Sequence, residues 1–347
     1  MTPKNRNYLL IQIDFCLKHI FTGGIPIELK EIVQNAPDNQ LIRNTFIKAD
    51  KLLDSYKNPI CSVSGGSDSD TMLDLIEKVR NGRPVKYVFY DTGIEYEATK
   101  RHLKYLEEKY GIEIERLRAV KPVPLGCRDY GIPFMSKRNS MYISRLQKHG
   151  FKWEDEPFDE LIKRYPKCQS ALRWWCNEWG EKSSFNIDRN KALKAFMIQN
   201  PPDFPISDMC CEGAKKKTAK LINQKYDCCL KIIGERRAEG GIRALRHHSC
   251  FDPVAEDSIP TYRPLFFWDD ADKKQYKEHY GLVYSDCYEK WNMTRTGCAG
   301  CPFGSRFENE LELIQQYEPR LYQAINNIFG KSYEYTRRYR EFKNKKE

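Results

Sequence analysis

The sequence predicts an α/β protein built on a doubly wound, mostly parallel sheet, with helices added at the N-terminal and C-terminal ends. Three observations carry this. From Pro59 onward, short apolar runs alternate with stretches of helical spacing, the order required by a parallel sheet with crossover helices. Two of those runs, "NPICSV" (58–63) and "VKYVFYDTG" (85–93), lead into glycine-containing turns, at the strand ends where such sheets place ligands. Residues 1–54, and again 311–347, show helical spacing without strand signals. The expected organisation is therefore a helical extension (1–54), an α/β domain (55–310) and a helical tail (311–347).

In order, "YLLIQIDFCLKHIF" has amphipathic spacing, is broken by Gly23-Gly24, and is followed by two further helical stretches. After the first strand comes "SGGSDSD", then "TMLDLIEKVRNG" with apolar residues at Met72, Leu73, Leu75, Ile76 and Val79 and a stop at Gly82. A strand, a Gly-rich turn and a helix start make an anion site, because backbone N–H groups and the helix dipole point the same way. The turn is neither GxxxxGK[ST] nor GxGxxG, and it contains no lysine. "YEATKRHLKYLEEKYG" and "IEIERLRA" continue the alternation. The middle, about 125 to 230, reads as irregular and rich in cysteine and tryptophan. Its "RWWCNEW" is assigned to core packing rather than to a platform for a base. "YDCCLKIIGERRAEGG" reads as another strand and turn.

Composition narrows the class. With 347 residues, 40% apolar and 31% charged, the chain can bury a sizeable core. The first thirty residues lack a signal-peptide pattern, and no apolar run approaches the roughly eighteen residues of a membrane span. The expected location is the cytoplasm, with no membrane partner. Thirteen cysteines in a reducing compartment favour metal ligation or catalysis over disulfides. The net charge of +10 suits a polyanionic partner, and the charged tail "KNKKE" is assigned to solvated surface.

Two constellations carry chemistry. Asp91-Thr92-Gly93 ends a strand, with Glu95 close behind. Asp91, with Asp68 of the preceding loop, could hold Mg²⁺ at a nucleotide, or it could cap the following helix. Cys210-Cys211 and Cys298-x-x-Cys301 form the second set, the latter on the tight turn "TGCAGCPFG". Four such thiolates can hold a tetrahedral Zn²⁺ or a [4Fe–4S] cluster. Cys228-Cys229, in an apolar run, are assigned to packing.

Ser64, Gly65, Gly66, Ser67, Asp68 and Ser69 resemble the SGGxDS pyrophosphate loop of PP-loop ATP pyrophosphatases, with Ser67 where many members carry lysine. Over residues 55–305 the chain resembles the phosphoadenosine phosphosulfate (PAPS) reductase-like family of that superfamily, in its iron–sulfur-bearing form. The further matching blocks are "FYDTGIEYEAT", "GERRAEGG" and the Pro…Trp…Tyr…GC-x-x-C-P ending. The resemblance implies the adenine nucleotide alpha hydrolase-like fold, with ATP, Mg²⁺ and a [4Fe–4S] cluster as cofactors. It implies Cys210, Cys211, Cys298 and Cys301 as cluster ligands, Lys215 as a charge that tunes them, and Arg236 and Arg237 as a donor fork for phosphate or sulfate. Thr92 and Gly93 fall in the family's second nucleotide-site block.

Two departures shape the functional expectation. The reductases attack with a cysteine in a C-terminal Glu-Cys-Gly-x-His segment, whereas "YTRRYREFKNKKE" has neither cysteine nor histidine. The reductases have generally lost the full SGGxDS loop, which this chain keeps. The expected activity is thus adenylation of an acceptor oxygen by ATP, followed by sulfur insertion. The ATPase subunit of DNA phosphorothioation and the cluster-bearing tRNA thiolases act in this way. Expected partners are ATP or an adenylylated nucleotide, a nucleic-acid acceptor, and a sulfur-donor protein such as a cysteine desulfurase. One alternative is a sulfonucleotide reductase using Cys127, Cys168 or Cys176. A second is a non-catalytic, metal-stabilised nucleic-acid-binding protein.

Overall fold

The computed structural model describes residues 27–240, 247–254, 259–304 and 306–345; the first amphipathic stretch and the Gly23-Gly24 break lie outside them. Six strands form one sheet: β1 (Pro59–Ser62), β2 (Lys86–Asp91), β3 (Ile114–Arg118), β4 (Leu230–Ile233), β5 (Phe251–Asp252) and β6 (Thr261–Tyr262). Their order is β3-β2-β1-β4-β6-β5. All pairings are parallel except β5 with β6, at the edge. The chain winds outward from β1 through β2 to β3, then returns to β4 on the other side of β1. This reversal puts the end of β1 at the topological switch point, where open α/β sheets bind ligands.

The helix Ser67–Val79 follows β1 and buries Met72, Leu73, Leu75, Ile76 and Val79 under the sheet, the apolar positions read from the sequence. The helical extension continues through Ile27–Gln34 and Gln40–Ser55. Asn39 caps the second of these by accepting from the Leu41 and Ile42 N–H groups at 3.0 and 3.3 Å. Its amide also donates to Asp272 at 2.7 Å, fastening this layer to the helix Asp270–Tyr280. A charged group lies within the same core. Asp74, 1% exposed, accepts from the hydroxyls of Tyr110 and Tyr276 at 2.7 Å each and pairs with Lys78 at 2.8 Å. Fully partnered in this way, a buried carboxylate fixes geometry.

The middle of the chain departs from the irregular reading. It is largely helical, with helices Val123–Tyr130, Lys137–Lys148, Phe158–Arg164, Gln169–Trp175, Leu193–Gln199 and Lys217–Lys225. These are short, and bulky aromatics interrupt their periodicity, so the 3.6-residue signal is weak. They enclose a second core in which Trp174 and Trp175 are completely buried, as the packing assignment of "RWWCNEW" requires. Cys228 is buried just before β4, and Cys229 is half-buried beside it.

The C-terminal stretch forms two helices, Phe307–Tyr317 and Pro319–Asn344. The second helix is no loose appendage. Tyr335 and Tyr339 enter the core of the middle segment, while Phe329 and Tyr333 enter a third core with Phe307 and Ala299. Phe307 and Tyr333 stack with ring centroids 4.9 Å apart. Glu318, at the junction of the two helices, accepts the Glu97 and Ala98 N–H groups at 3.0 Å each, satisfying the start of the helix Glu97–Tyr110. Phe329→Ala should therefore destabilise the protein by about 3–5 kcal/mol. Urea unfolding followed by tryptophan fluorescence measures this, and an unchanged midpoint would show that the helix contributes no core.

Candidate functional site

At the end of β1 the chain turns through Ser64-Gly65-Gly66 and enters its helix directly at Ser67. The Ser69 hydroxyl closes this turn, accepting the Ser64 N–H at 3.1 Å and donating to the Gly66 carbonyl at 3.0 Å. Ser69 thus shapes the loop, whereas Ser64 is exposed beside it. No side chain caps the helix from Gly66. A Cβ built on Gly66 would lie 3.2 Å from the hydroxyls of Tyr288 and Thr296 and 3.3 Å from that of Ser64. Three hydroxyls therefore gather around the glycine. On the far side, Gly234, just past β4, passes so close that a Cβ there would be 3.1 Å from the Asp68 carbonyl. A glycine is needed for this approach.

That approach delivers Arg236. Its side chain is 7% exposed, with Nε 2.9 Å from Asp68 Oδ1 and Nη2 2.9 Å from Asp270 Oδ1. Burial opposes its charge, but the two carboxylates outweigh burial and hold its pKa above the usual arginine value. Nη1 is buried and, among the described residues, has no hydrogen-bond partner, a costly state unless a ligand supplies an acceptor. Arg237 does not join it. That residue is exposed, and its backbone N–H donates to the Phe266 carbonyl at 2.8 Å. A cation not anticipated from the sequence does join. Lys273 Nζ lies 2.8 Å from Asp68 Oδ1 and 3.0 Å from Ser67 Oγ.

The end of β2 faces a different group of side chains. Asp91 accepts the Gly93 N–H at 2.8 Å within its own turn; the next helix begins only at Glu97, with Tyr96 in the cap position. Thr92 is fully buried, donates from N–H and Oγ1 to Glu95 at 3.0 and 2.5 Å, and meets Cys298 Sγ at 3.6 Å. Burial pushes the Glu95 pKa up, partly offset by those Thr92 hydrogen bonds. Asp91, Thr92 and Gly93 therefore stand on the cysteine side of the sheet end.

Cys210 and Cys211 lead into a π-helical turn, Glu212–Lys216, a feature that often marks functional positions. A hydrogen bond with the Cys127 thiol pushes the Cys210 pKa up, and one with Cys210 does the same for Cys211. Burial raises Cys298, and burial with the neighbouring Cys298 pushes Cys301 up to about 12. Lys215 is exposed at the rim, yet its ammonium is held above the usual lysine range by Cys298 first, with Glu95, Cys211 and Cys301 adding to it. The four cysteines thus share one neighbourhood, with Cys127 as a fifth thiol beside Cys210. Among the described residues, no three His, Cys, Asp or Glu side chains close on one point as a single bound ion requires. The donor set itself, four thiols with a lysine and no imidazole among them, is the soft, all-sulfur type suited to an iron–sulfur cluster.

Gly300 lies between the two later cysteines at φ +60°, a conformation that disfavours any side chain. A Cβ there would lie 2.5 Å from Ile325 and 2.6 Å from the Tyr333 hydroxyl. Glu310 accepts the Gly300 N–H at 2.9 Å and also holds the Tyr96 hydroxyl. Sequence reading missed Lys273, Tyr288, Thr296 and Glu310. Lys273 left one signal: it lies three residues before the buried Tyr276 in a helix opened by a reciprocal Asp269/Asp272 cap, which puts it on the inward face.

An uncharacterized protein of Methanocaldococcus jannaschii is 24% identical over 300 residues, covering 86% of this chain and 46% of that protein. An uncharacterized 37.8 kDa protein of Escherichia phage 186 is 25% identical over 246 residues, covering 70% and 66% respectively. The chain thus spans less than two thirds of either relative. Among solved structures, a phosphoadenylyl-sulfate reductase from Candida auris in complex with phosphate aligns over 78% of this chain and 94% of its own, at 14% identity and a TM-score of 0.38. The U34-tRNA thiolase NcsA from Methanococcus maripaludis, with its [4Fe–4S] cluster, aligns over 88% and 79%, at 15% identity and a TM-score of 0.36. The family model for the phosphoadenosine phosphosulfate reductase domain matches residues 58–303, and the chain belongs to that family.

Proposed function

We propose that this protein is an ATP pyrophosphatase that adenylates an acceptor oxygen, in a nucleic acid, for replacement by sulfur. One observation carries the coupling of the two chemistries. Thr296, whose hydroxyl crowds the Gly66 turn, is separated by a single residue from Cys298 of the thiol group. Two residues of chain span at most about 7 Å, so the anion loop and the cysteines border one another.

In this reading the acceptor oxygen attacks the α-phosphorus of ATP. The bond to the bridging oxygen breaks, and pyrophosphate leaves with the electron pair. Backbone N–H groups of residues 65–69 and Arg236 Nη1, which has no partner among the described residues, stabilise the leaving charge. Asp68 would hold Mg²⁺ together with the phosphates, and the metal would neutralise charge on the leaving group. Asp91 remains the second carboxylate of the proposal, for orientation. The terminal sulfur of a persulfide on a donor protein, such as a cysteine desulfurase, then attacks and displaces AMP, which departs with the acceptor's oxygen; a second thiol cleaves the remaining S–S bond, leaving the sulfur on the acceptor and a disulfide behind. Cys210, Cys211, Cys298 and Cys301 would hold a [4Fe–4S] cluster, whose chemistry would be to bind and present that sulfur. Lys215 keeps a positive charge at its edge. A net charge of +10 favours an acceptor bearing phosphates. The proposed setting is the cytoplasm, where thiols stay reduced; among the described residues no helix is long and apolar enough to cross a membrane.

A second reading, sulfonucleotide reduction by an internal cysteine, is favoured by one observation. Of Cys127, Cys168 and Cys176, only Cys127 adjoins the cysteine group. Cys168 is fully buried in the second core, and Cys176 packs against that same core. Pyrophosphate released from ATP, as against sulfite released from an adenylylated sulfate, separates the two.

Asp68→Ala should lower magnesium-dependent pyrophosphate release by about a hundredfold, the scale of losing one charge-stabilising group. A coupled phosphate assay on the purified variant measures it; unchanged release rules out the proposed role of the loop. Anaerobically purified protein should carry about four iron and four sulfide per chain. Cys298→Ser should lose them, while Cys228→Ser and Cys229→Ser retain them. Stoichiometric zinc without absorbance near about 400 nm would instead make the site a structural knot.

A further inference from the structure

A loop that grips a phosphoanion needs positive charge near its N–H groups, and Ser64–Ser69 contains none. Lys273 lies 206 residues away in sequence from Ser67, yet its ammonium is 3.0 Å from the Ser67 hydroxyl. Its side chain is only 18% exposed. The helix that bears it is pinned on both sides of the lysine. Before it, Asp269 and Asp272 cap each other's N–H groups at 2.9 and 3.0 Å, and Asp272 takes the Asn39 amide at 2.7 Å. After it, the Tyr276 hydroxyl donates to the buried Asp74 at 2.7 Å. The lysine is thus held over the loop by packing rather than lying there as a free surface charge.

The charges around it are unevenly matched. Asp68 Oδ1 lies 2.8 Å from Lys273 Nζ and 2.9 Å from Arg236 Nε, while the second carboxylate, Asp270, is 87% exposed and screened by solvent. Arg236 Nη1 beside it is buried and, among the described residues, unpartnered. Two cations therefore share one half-buried carboxylate oxygen, leaving room for more negative charge.

We propose that Lys273 is the phosphate-binding cation of this loop, supplied from another element in place of the lysine that the loop lacks, and that Asp68 serves as its counter-ion until a phosphoanion arrives. The ligand class is the di- or triphosphate of a nucleotide, or free pyrophosphate. For ATP this rests on the proposed function; for pyrophosphate it does not.

Relocating the charge tests it. Binding of inorganic pyrophosphate and of Mg-ATP to the full chain is measured by calorimetry for the unaltered protein, Lys273→Met, and the double variant Lys273→Met with Ser67→Lys. Methionine keeps the apolar stem, so the urea midpoint should hold. Lys273→Met should weaken pyrophosphate binding roughly tenfold or more, the scale of a lost charged hydrogen bond, and lysine at 67 should restore most of it. Equal affinity in Lys273→Met overturns the inference, and so does a loss that lysine at 67 fails to restore. Pyrophosphate binding that depends on Lys273 without any ATP turnover would uphold this inference and remove the pyrophosphatase reading. An unaltered protein that binds neither ligand overturns both.

Discussion

The parallel pairing of β1 with β4 is the constraint on which the site depends. Pro59 to Ser62 lie in register with Leu230 to Ile233, joining two segments separated by all of the middle helices. The last residue of each strand is followed by the chemistry. Ser62 leads to the anion loop, and Ile233 leads through Gly234 to Arg236. Any change of register would carry the arginine along the sheet, away from Asp68. Because Ile60 and Cys61 are buried at the centre of the sheet, that register is strongly specified.

Around this pairing, polar groups act as locators. Asn39, Asp74 and Glu318 each join segments distant in sequence, and each reaches a helix that borders the site. Asp74 and Glu318 stand in low-dielectric surroundings, where an unmet partner is expensive and a met one fixes position. The two chemical centres inherit their geometry from these locators. The anion loop is flanked by the helices beginning at Ser67 and Asp270, and the thiols by the turns after β2 and before Phe307.

Much of this was legible in the sequence. Strand and helix alternation could be read because β1 and β2 are buried apolar runs, and the apolar stripe of Ser67–Val79 has a clean period. The loop and the four cysteines announced themselves by residue type and spacing. The helices of the middle segment were missed because they are brief and aromatic-rich, so neither length nor periodicity distinguishes them. Residues 311–347 were read as a helical tail, but the surrounding charges of Pro319–Asn344 hid that Phe329, Tyr333, Thr336 and Tyr339 form a stripe facing the core. Lys273 and Glu310 act across the fold, and no local pattern reports a partner two hundred residues away. Asp91 was weighed as a metal ligand or a helix cap. It does not cap: its carboxylate closes a local turn, because the following helix starts later than its motif suggests, and the metal role stays with the proposal.

The covering of Gly300 by Ile325 and Tyr333 has a consequence for biogenesis. Chains emerge from the ribosome N-terminus first and fold as segments become available. The turn carrying Cys298 and Cys301 leaves the ribosome before the helix Pro319–Asn344 that later roofs it. A nascent chain therefore holds Gly300 uncovered until that helix has been made and has docked. The turn between Cys298 and Cys301 is thus closed last in the order of synthesis.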